Sequence, residues 1–107
     1  MKKILVVCGQ NKWRSPTAET IYRHDSRCEV RSAGLSKHSP HFLTRADLVW
    51  ADLLLYMEKE HLEKIVKKFP DIILPRAINL DIPDEYRYMD PELVEILREK
   101  IEEIFVI

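Results

Sequence analysis

A cysteine and an arginine lie six positions apart in the segment VVCGQNKWRSPTAE, which begins at Val6. Cys8 ends the apolar run KILVVC, and Arg14 directly precedes Ser-Pro, a pair that commonly starts a helix. A loop between a strand and a helix N-terminus binds anions readily, because its backbone N–H groups have no helical partners and the helix dipole adds partial positive charge. In such a loop a cysteine is more easily deprotonated, and a thiolate is a nucleophile at neutral pH.

Arg14 adds a planar, permanently charged guanidinium that can bind two phosphate oxygens at once. An anion-binding loop, a nucleophilic sulfur and a guanidinium together are suited to phosphoryl transfer through a cysteinyl-phosphate. The alternative for Cys8 is an ordinary buried thiol at a strand end, since cysteine is among the most buried residue types. Arg14 could likewise be a surface residue that caps a carbonyl. Cys28 has no recognisable acid or base nearby in the sequence, so we expect a structural thiol there.

A carboxylic acid that protonates the leaving oxygen would assist the hydrolysis of a phosphate ester. Three aspartates near the end of the last predicted strand compete for this role. Asp90 precedes Pro91 and an apolar run, so we expect it to cap a helix. Asp81 lies in the strand or at its end, and Asp84 lies just beyond it in a loop. The residues alone leave Asp81 and Asp84 open.

Short apolar runs alternate with helical patterns along the chain and would position these residues. The runs predict strands over 3–8, 28–34, 52–57 and 77–82. The helical patterns cover 15–24, 40–50, 58–69 and 90–105. This order predicts an α/β fold in one domain over 1–107, a doubly wound four-stranded parallel sheet with helices on both faces. Ligands bind beyond the carboxyl ends of such strands, so the ends of the first and fourth strands should meet at the site.

Composition excludes several other classes of function. The net charge is −1, which gives no electrostatic reason to expect nucleic acid or an anionic membrane surface as a partner. The two cysteines form no C-x-x-C pair, and the histidines do not have metal-ligand spacing. The sequence therefore predicts no bound metal and no other cofactor. The apolar runs are too short for a signal peptide or a membrane span. We therefore expect a soluble, cytoplasmic protein.

The segment that begins at Val6 resembles the signature of the low-molecular-weight protein tyrosine phosphatases: a cysteine, five residues, Arg-Ser-Pro and a helix. Asn11 matches the family's loop asparagine, and the segments RSAG, WADLLLYMEKEH and DIPDEY resemble later family segments in the same order. The resemblance implies a phosphomonoesterase with Cys8 as nucleophile, and a phosphorylated protein or small phosphoester as substrate. It also implies a phosphate-binding loop, which consists of Gly9, Gln10, Asn11, Lys12, Trp13, Arg14 and Ser15.

The resemblance further implies individual roles. DIPDEY matches a family stretch whose second aspartate is the general acid, which selects Asp84, although Glu85 stands where the family usually has proline. Ser15 would stabilise the thiolate as well as cap the helix. Ser32 matches a serine that hydrogen-bonds to the loop asparagine. His38 is a candidate for a histidine of the same network, or else an exposed loop histidine.

Two features depart from the family pattern. Gly34 reaches Thr44 in ten positions, a shorter connection than the family has, which predicts a shallower cleft. Trp13 stands where the family often has a second cysteine, so the family's protective disulfide is not expected. Trp13 and Tyr86 are candidates for the walls of the substrate cleft, or Trp13 is simply part of the core.

Two other functions use the same loop. One is a non-catalytic module that binds phosphate or a phosphorylated partner, and the shortened connection keeps it open. The other is arsenate reductase, which would need further redox cysteines near the third helix. Residues 58–90 contain no cysteine, so this function is the less favoured.

Overall fold

The computed structural model describes residues 1–106. Strands and helices alternate as β1 (Lys2–Cys8), α1 (Arg14–Tyr22), β2 (Cys28–Gly34), α2 (Arg45–Trp50), β3 (Leu53–Tyr56), α3 (Lys59–Lys68), β4 (Arg76–Asn79) and α4 (Pro91–Val106). The four strands pair in parallel in the order β2-β1-β3-β4. The predicted four-stranded parallel sheet is therefore confirmed. No helix within these residues is long and apolar enough to cross a membrane.

β1 is apolar because both of its faces are covered. Successive side chains of a strand point to opposite faces. Ile4 and Val6 accordingly pack in a core with residues of α1 and α4, whereas Leu5 and Val7 pack in a core with residues of α2 and α3. Helices thus lie on both faces of the sheet, and the doubly wound arrangement is confirmed.

The ends of the helices show which predicted caps form. Asp90 caps α4, since its carboxylate accepts a hydrogen bond from the Glu92 amide at 2.9 Å, as predicted. α1 begins at Arg14, so Ser15 lies inside the helix and is not its cap, contrary to the prediction. Its hydroxyl is bonded elsewhere, as described below.

In α2 and β4, which are shorter than predicted, tertiary contacts hold residues that local patterns assigned to a helix or a strand. α2 begins after a capping box at Thr44. The preceding residues run beside the end of β2, where the amide of Leu43 donates to the carbonyl of Gly34 at 2.9 Å. β4 ends at Asn79, but the amide of Ile82 still donates to the carbonyl of Met57 at 3.0 Å. That contact keeps the chain beyond β4 against the end of β3.

The two cysteines lie at opposite ends of the sheet. Cys8 pairs in register with Gly34 at the carboxyl end, whereas Cys28 pairs with Lys2 at the other end. Six residue steps of a strand span about 20 Å, and a disulfide requires Cα atoms within about 7 Å. The folded chain therefore cannot join Cys8 to Cys28. Cys28 is buried in the core, and burial raises the pKa of its thiol.

Candidate active site

The loop of residues 9–13 joins the end of β1 to the start of α1. Asn11 has a φ of 52°, the left-handed conformation that asparagine adopts more readily than most residues. Among residues 1–106, the backbone amides of this loop donate no hydrogen bond to another protein group. Unpaired amides at a helix N-terminus form an anion-binding site.

A chain of hydrogen bonds runs from the backbone of His41 through Asn11 and Ser15 to Cys8. The carboxamide oxygen of Asn11 accepts from the backbone amide of His41 at 3.2 Å, so the Asn11 Nδ2 is the end that donates to Ser15 Oγ, at 3.0 Å. The Ser15 hydroxyl thus accepts one bond, and its own hydrogen is available to Cys8 Sγ, which lies 2.9 Å away.

Gly34 permits the end of β2 to lie against this network. A Cβ atom at Gly34 would lie 2.8 Å from the Cβ of Asn11 and would overlap with the Ser39 Oγ. Any other residue would therefore push the loop asparagine away from β2. Glycine, which the RSAG segment places at position 34, is the residue type that fits this contact.

Arg14 is buried, and two other segments of the chain hold its guanidinium in place. Its Nη1 donates to the Glu58 Oε2 at 2.8 Å and to the Ile82 carbonyl at 2.7 Å. Its Nε lies 3.7 Å from the Asp84 Oδ1. Nε and Nη2 consequently remain to bind an anion over the loop.

Glu58 and His61 belong to the site, although no pattern in the sequence predicted a role for them there. The hydrogen bond from Arg14 holds the pKa of Glu58 below its usual value. His61 Nδ1 accepts from the Met57 amide at 3.4 Å, so the neutral ring carries its proton on Nε2, 3.4 Å from the Glu58 Oε2. Burial lowers the pKa of His61, and the Arg14 cation adds to that effect. The sequence did offer one sign of this role, because both residues closely follow β3 and ligands bind beyond the carboxyl ends of parallel strands.

The candidate site is a cleft of about 200 Å³, which we call the loop cleft. Its lining residues are Cys8, Gly9, Gln10, Lys12, Trp13, Arg14, Glu58, His61 and Asp84. It brings together the predicted nucleophile, arginine and acid. Trp13 forms part of its wall, and Lys12 Nζ lies 5.0 Å from the centre of the indole ring. Asp81 and Asp90 do not line it.

Ser32 and Tyr86 have surroundings different from those expected, and of the two alternatives for His38 the exposed loop histidine is the one observed. Ser32 donates to the Glu19 carboxylate at 2.7 Å and not to the loop asparagine. His38 is exposed, and the histidine bonded to that asparagine is His41, through its backbone. Tyr86 packs against the core and does not line the loop cleft, so it is not the second wall. Ser32 and Tyr86 instead contact neighbouring elements.

Solved structures of three phosphatases resemble the chain. The YwlE arginine phosphatase from Geobacillus stearothermophilus is 21% identical, with a TM-score of 0.71 over 99% of this chain and 94% of that one. The tyrosine phosphatase Wzb from Escherichia coli K30, in complex with phosphate, is 24% identical, with a TM-score of 0.72 over 96% and 95%. SP-PTP, a low molecular weight protein tyrosine phosphatase from Streptococcus pyogenes, is 16% identical, with a TM-score of 0.77 over 99% and 92%.

No protein-family model matches the sequence, and no curated protein matches it either. At the identities of the structural neighbours, the likeness shows the fold. The chain therefore has the fold that its resemblance to the low-molecular-weight protein tyrosine phosphatases implied.

Burial of His61 makes the stability of the protein depend on pH. Because His61 binds its proton less readily in the folded chain, the unfolded chain takes up more protons below about pH 6.5. The free energy of unfolding should therefore be retained above that pH and should fall as the pH drops below it. Urea unfolding of the wild type and His61→Gln should show a smaller pH effect in the variant, with the exposed His24→Gln as control. Equal pH effects in wild type and His61→Gln would contradict this assignment.

The ion pair between Arg14 and Glu58 should stabilise the folded state. Glu58→Gln leaves the buried guanidinium without its closest counter-charge, although water screens the pair because the Glu58 side chain is 39% exposed. We expect a loss of about 1 kcal/mol in the free energy of unfolding at neutral pH. Glu60→Gln, an exposed position on the same helix, is the matched control. If both variants unfold at the same urea concentration, Glu58 does not hold Arg14 in solution.

Proposed function

We propose that the protein is a phosphomonoesterase of the low-molecular-weight protein tyrosine phosphatase type. The observation that carries the proposal is that Cys8, Arg14 and Asp84 line one cleft beside a loop with unpaired amides. A module that only binds phosphate needs the loop and the guanidinium, but it has no need of a sulfur bonded to a hydroxyl donor or of an acid at the rim.

In the first step the Cys8 sulfur attacks phosphorus, so that an S–P bond forms while the bond from phosphorus to the leaving oxygen breaks. Asp84, in its protonated form, transfers its proton to that oxygen, and the product alcohol or phenol departs. Negative charge on the three remaining phosphoryl oxygens is stabilised by the loop amides and by Nε and Nη2 of Arg14. Nη1 stays on Glu58 and Ile82 and fixes the orientation of the guanidinium.

In the second step water attacks the phosphorus of the cysteinyl-phosphate. Asp84, now ionised, accepts a proton from that water, and the S–P bond breaks. Cys8 leaves as a thiolate, which the Ser15 hydroxyl stabilises at 2.9 Å. Inorganic phosphate is the second product, and Asp84 is again protonated for the next cycle.

The substrates we propose are phosphorylated proteins or small phosphoesters. Trp13 offers an aromatic wall for a flat leaving group beside the nucleophile. Two of the structural neighbours described above are named tyrosine phosphatases and one is named an arginine phosphatase. Phosphotyrosine and phosphoarginine peptides should therefore be tested in parallel with an aryl phosphate.

The decisive experiment compares hydrolysis of these substrates by the wild type, Cys8→Ser and Cys28→Ser. We expect activity in the wild type and in Cys28→Ser, and no turnover in Cys8→Ser, because a serine hydroxyl is not ionised at neutral pH. Cys8→Ser should still gain thermal stability from inorganic phosphate. Activity that persists in Cys8→Ser would refute the covalent mechanism. A wild type that binds phosphate but hydrolyses none of the substrates would instead be a binding module.

Asp84→Asn should slow the hydrolysis of substrates with poor leaving groups, such as alkyl phosphates, by roughly 10²–10⁴-fold. An activated aryl phosphate, whose leaving oxygen needs little protonation, should be affected far less. Asp81→Asn is the matched control, because Asp81 is exposed with a φ of 52°, a conformation that asparagine also adopts. The comparison of kcat/KM between the two leaving groups identifies the acid. If the leaving-group dependence appears in Asp81→Asn and not in Asp84→Asn, the assignment is wrong.

A further inference from the structure

A second and wider depression lies beside the loop cleft, and we call it the side groove. It has a volume of about 680 Å³ and runs between α1 and the short connection that follows the edge strand β2. Asn11 and Lys12 of the loop form one end of it, and Lys12 lines the loop cleft as well. The two depressions are therefore adjacent, and one ligand can extend from the first into the second.

Cations predominate among the charged residues of the side groove. Lys12, Arg23 and Arg31 line it, against a single carboxylate from Glu19. That carboxylate already accepts a hydrogen bond from the Ser32 hydroxyl at 2.7 Å. A chain with a net charge of −1 thus presents a local excess of positive charge next to its phosphate-binding loop.

The two arginines differ in how they are held. The guanidinium carbon of Arg31 lies 4.0 Å from the centre of the Trp50 ring, and its Nη1 lies 3.7 Å from the Asp47 carboxylate. Arg31 is thereby fixed in position, and Asp47 offsets part of its charge. Arg23 is exposed at the end of α1, and within residues 1–106 it has no ion-pair partner. Of the two arginines, Arg23 consequently has the more charge to offer a ligand.

The shape of the side groove suits an extended segment of chain. Pro16 and Pro40 contribute apolar surface, and Tyr88 forms a wall whose hydroxyl lies 2.7 Å from the Thr20 hydroxyl. Tyr88 and Arg31 are each about half exposed, so the depression is open along its length. Sites for small molecules instead enclose most of the ligand surface.

We propose that the side groove binds the polypeptide segment next to the phosphorylated residue of the substrate, and that it selects acidic side chains in that segment. The inference rests on the proposed function, since the phosphate in the loop cleft anchors the peptide. A glutamate or aspartate in the side groove meets Arg23 and Arg31, and the apolar surface of the groove contacts the peptide backbone. The substrate class is therefore a phosphorylated protein with acidic residues on one flank.

The test uses phosphopeptides that carry the phosphorylated residue hydrolysed by the wild type. Two pairs of peptides are used, one pair for each flank of the phosphorylated residue. The two peptides of a pair are identical except that the glutamates on that flank are replaced by glutamines in one of them. The measured quantity is the ratio of kcat/KM for the acidic peptide to that for the neutral peptide. At low ionic strength we expect a ratio of about three to ten on one flank, which decreases as salt is added.

Variants of Arg23 test whether the side groove is responsible for the ratio of kcat/KM values. Arg23→Glu should lower the ratio to one or less and should improve a third peptide that carries lysines at the same positions. Arg23→Gln, which removes the charge without adding a new one, should also lower the ratio. Arg98→Glu, an exposed arginine on α4 outside the side groove, should keep the wild-type ratio.

A wild-type ratio near one on both flanks would overturn the proposal while leaving the phosphatase function intact, provided that the peptides are hydrolysed. An unchanged ratio in both Arg23 variants would overturn it as well. If no phosphorylated substrate is hydrolysed, the proposed function fails instead, and the same peptide pairs then report on the side groove through their binding to the wild type. Equal affinities for the acidic and neutral peptides in that measurement would overturn the proposal.

Discussion

Burial of the Arg14 guanidinium is the constraint on which the candidate site depends. A buried charge is tolerated only where hydrogen bonds and counter-charges replace the water that it has lost. Arg14 opens α1, and its partners are Glu58, the second residue after β3, and the carbonyl of Ile82 in the chain that follows β4. One side chain thus joins three segments that reach the carboxyl edge separately, and because both partners engage Nη1, Nε and Nη2 remain for an anion. The cation that would bind phosphate is therefore also the cation that assembles the cleft.

The opposite side of the loop is held by neutral groups. Asn11 links the connection after β2 to Ser15, and Gly34 allows it to lie close to the strand. Ionic contacts lie on the β3 and β4 side of the loop, and neutral hydrogen bonds lie on the β2 side, where the Ser15 hydroxyl reaches Cys8. In the proposed mechanism that hydroxyl is the hydrogen-bond donor to the Cys8 sulfur, 2.9 Å away.

Local patterns in the sequence predicted the features that depend on local structure. Strand and helix alternation, the loop after β1 and the Asp90 cap all follow from neighbouring residues, and the structure confirms them. The predictions that were wrong concern contacts between elements. Ser15 looked like a cap because Ser-Pro starts helices, but a bond to Cys8 engages its hydroxyl. Ser32 was assigned by resemblance and Tyr86 as a candidate wall of the cleft, and their side chains have other surroundings. Glu58 and His61 lie in an amphipathic helical pattern, and only the packing of β3 against β1 and β4 brings them to the loop.

The net charge of a protein says little about whether it binds an anionic ligand when several cationic residues line one depression of its surface. At physiological ionic strength, charges more than about 8 Å apart are largely screened, so a ligand responds mainly to the groups beside it. Lys12 of the loop lines the side groove together with Arg23 and Arg31. In contrast, carboxylates such as Asp25 and Glu102 pair with Arg27, and Asp71 pairs with Arg45, away from the two depressions. The chain is thus slightly acidic as a whole and basic where a phosphorylated substrate would extend beyond the loop. In the proposed function a negative net charge repels such a substrate only weakly at long range, and the arginines of the side groove govern its binding at contact.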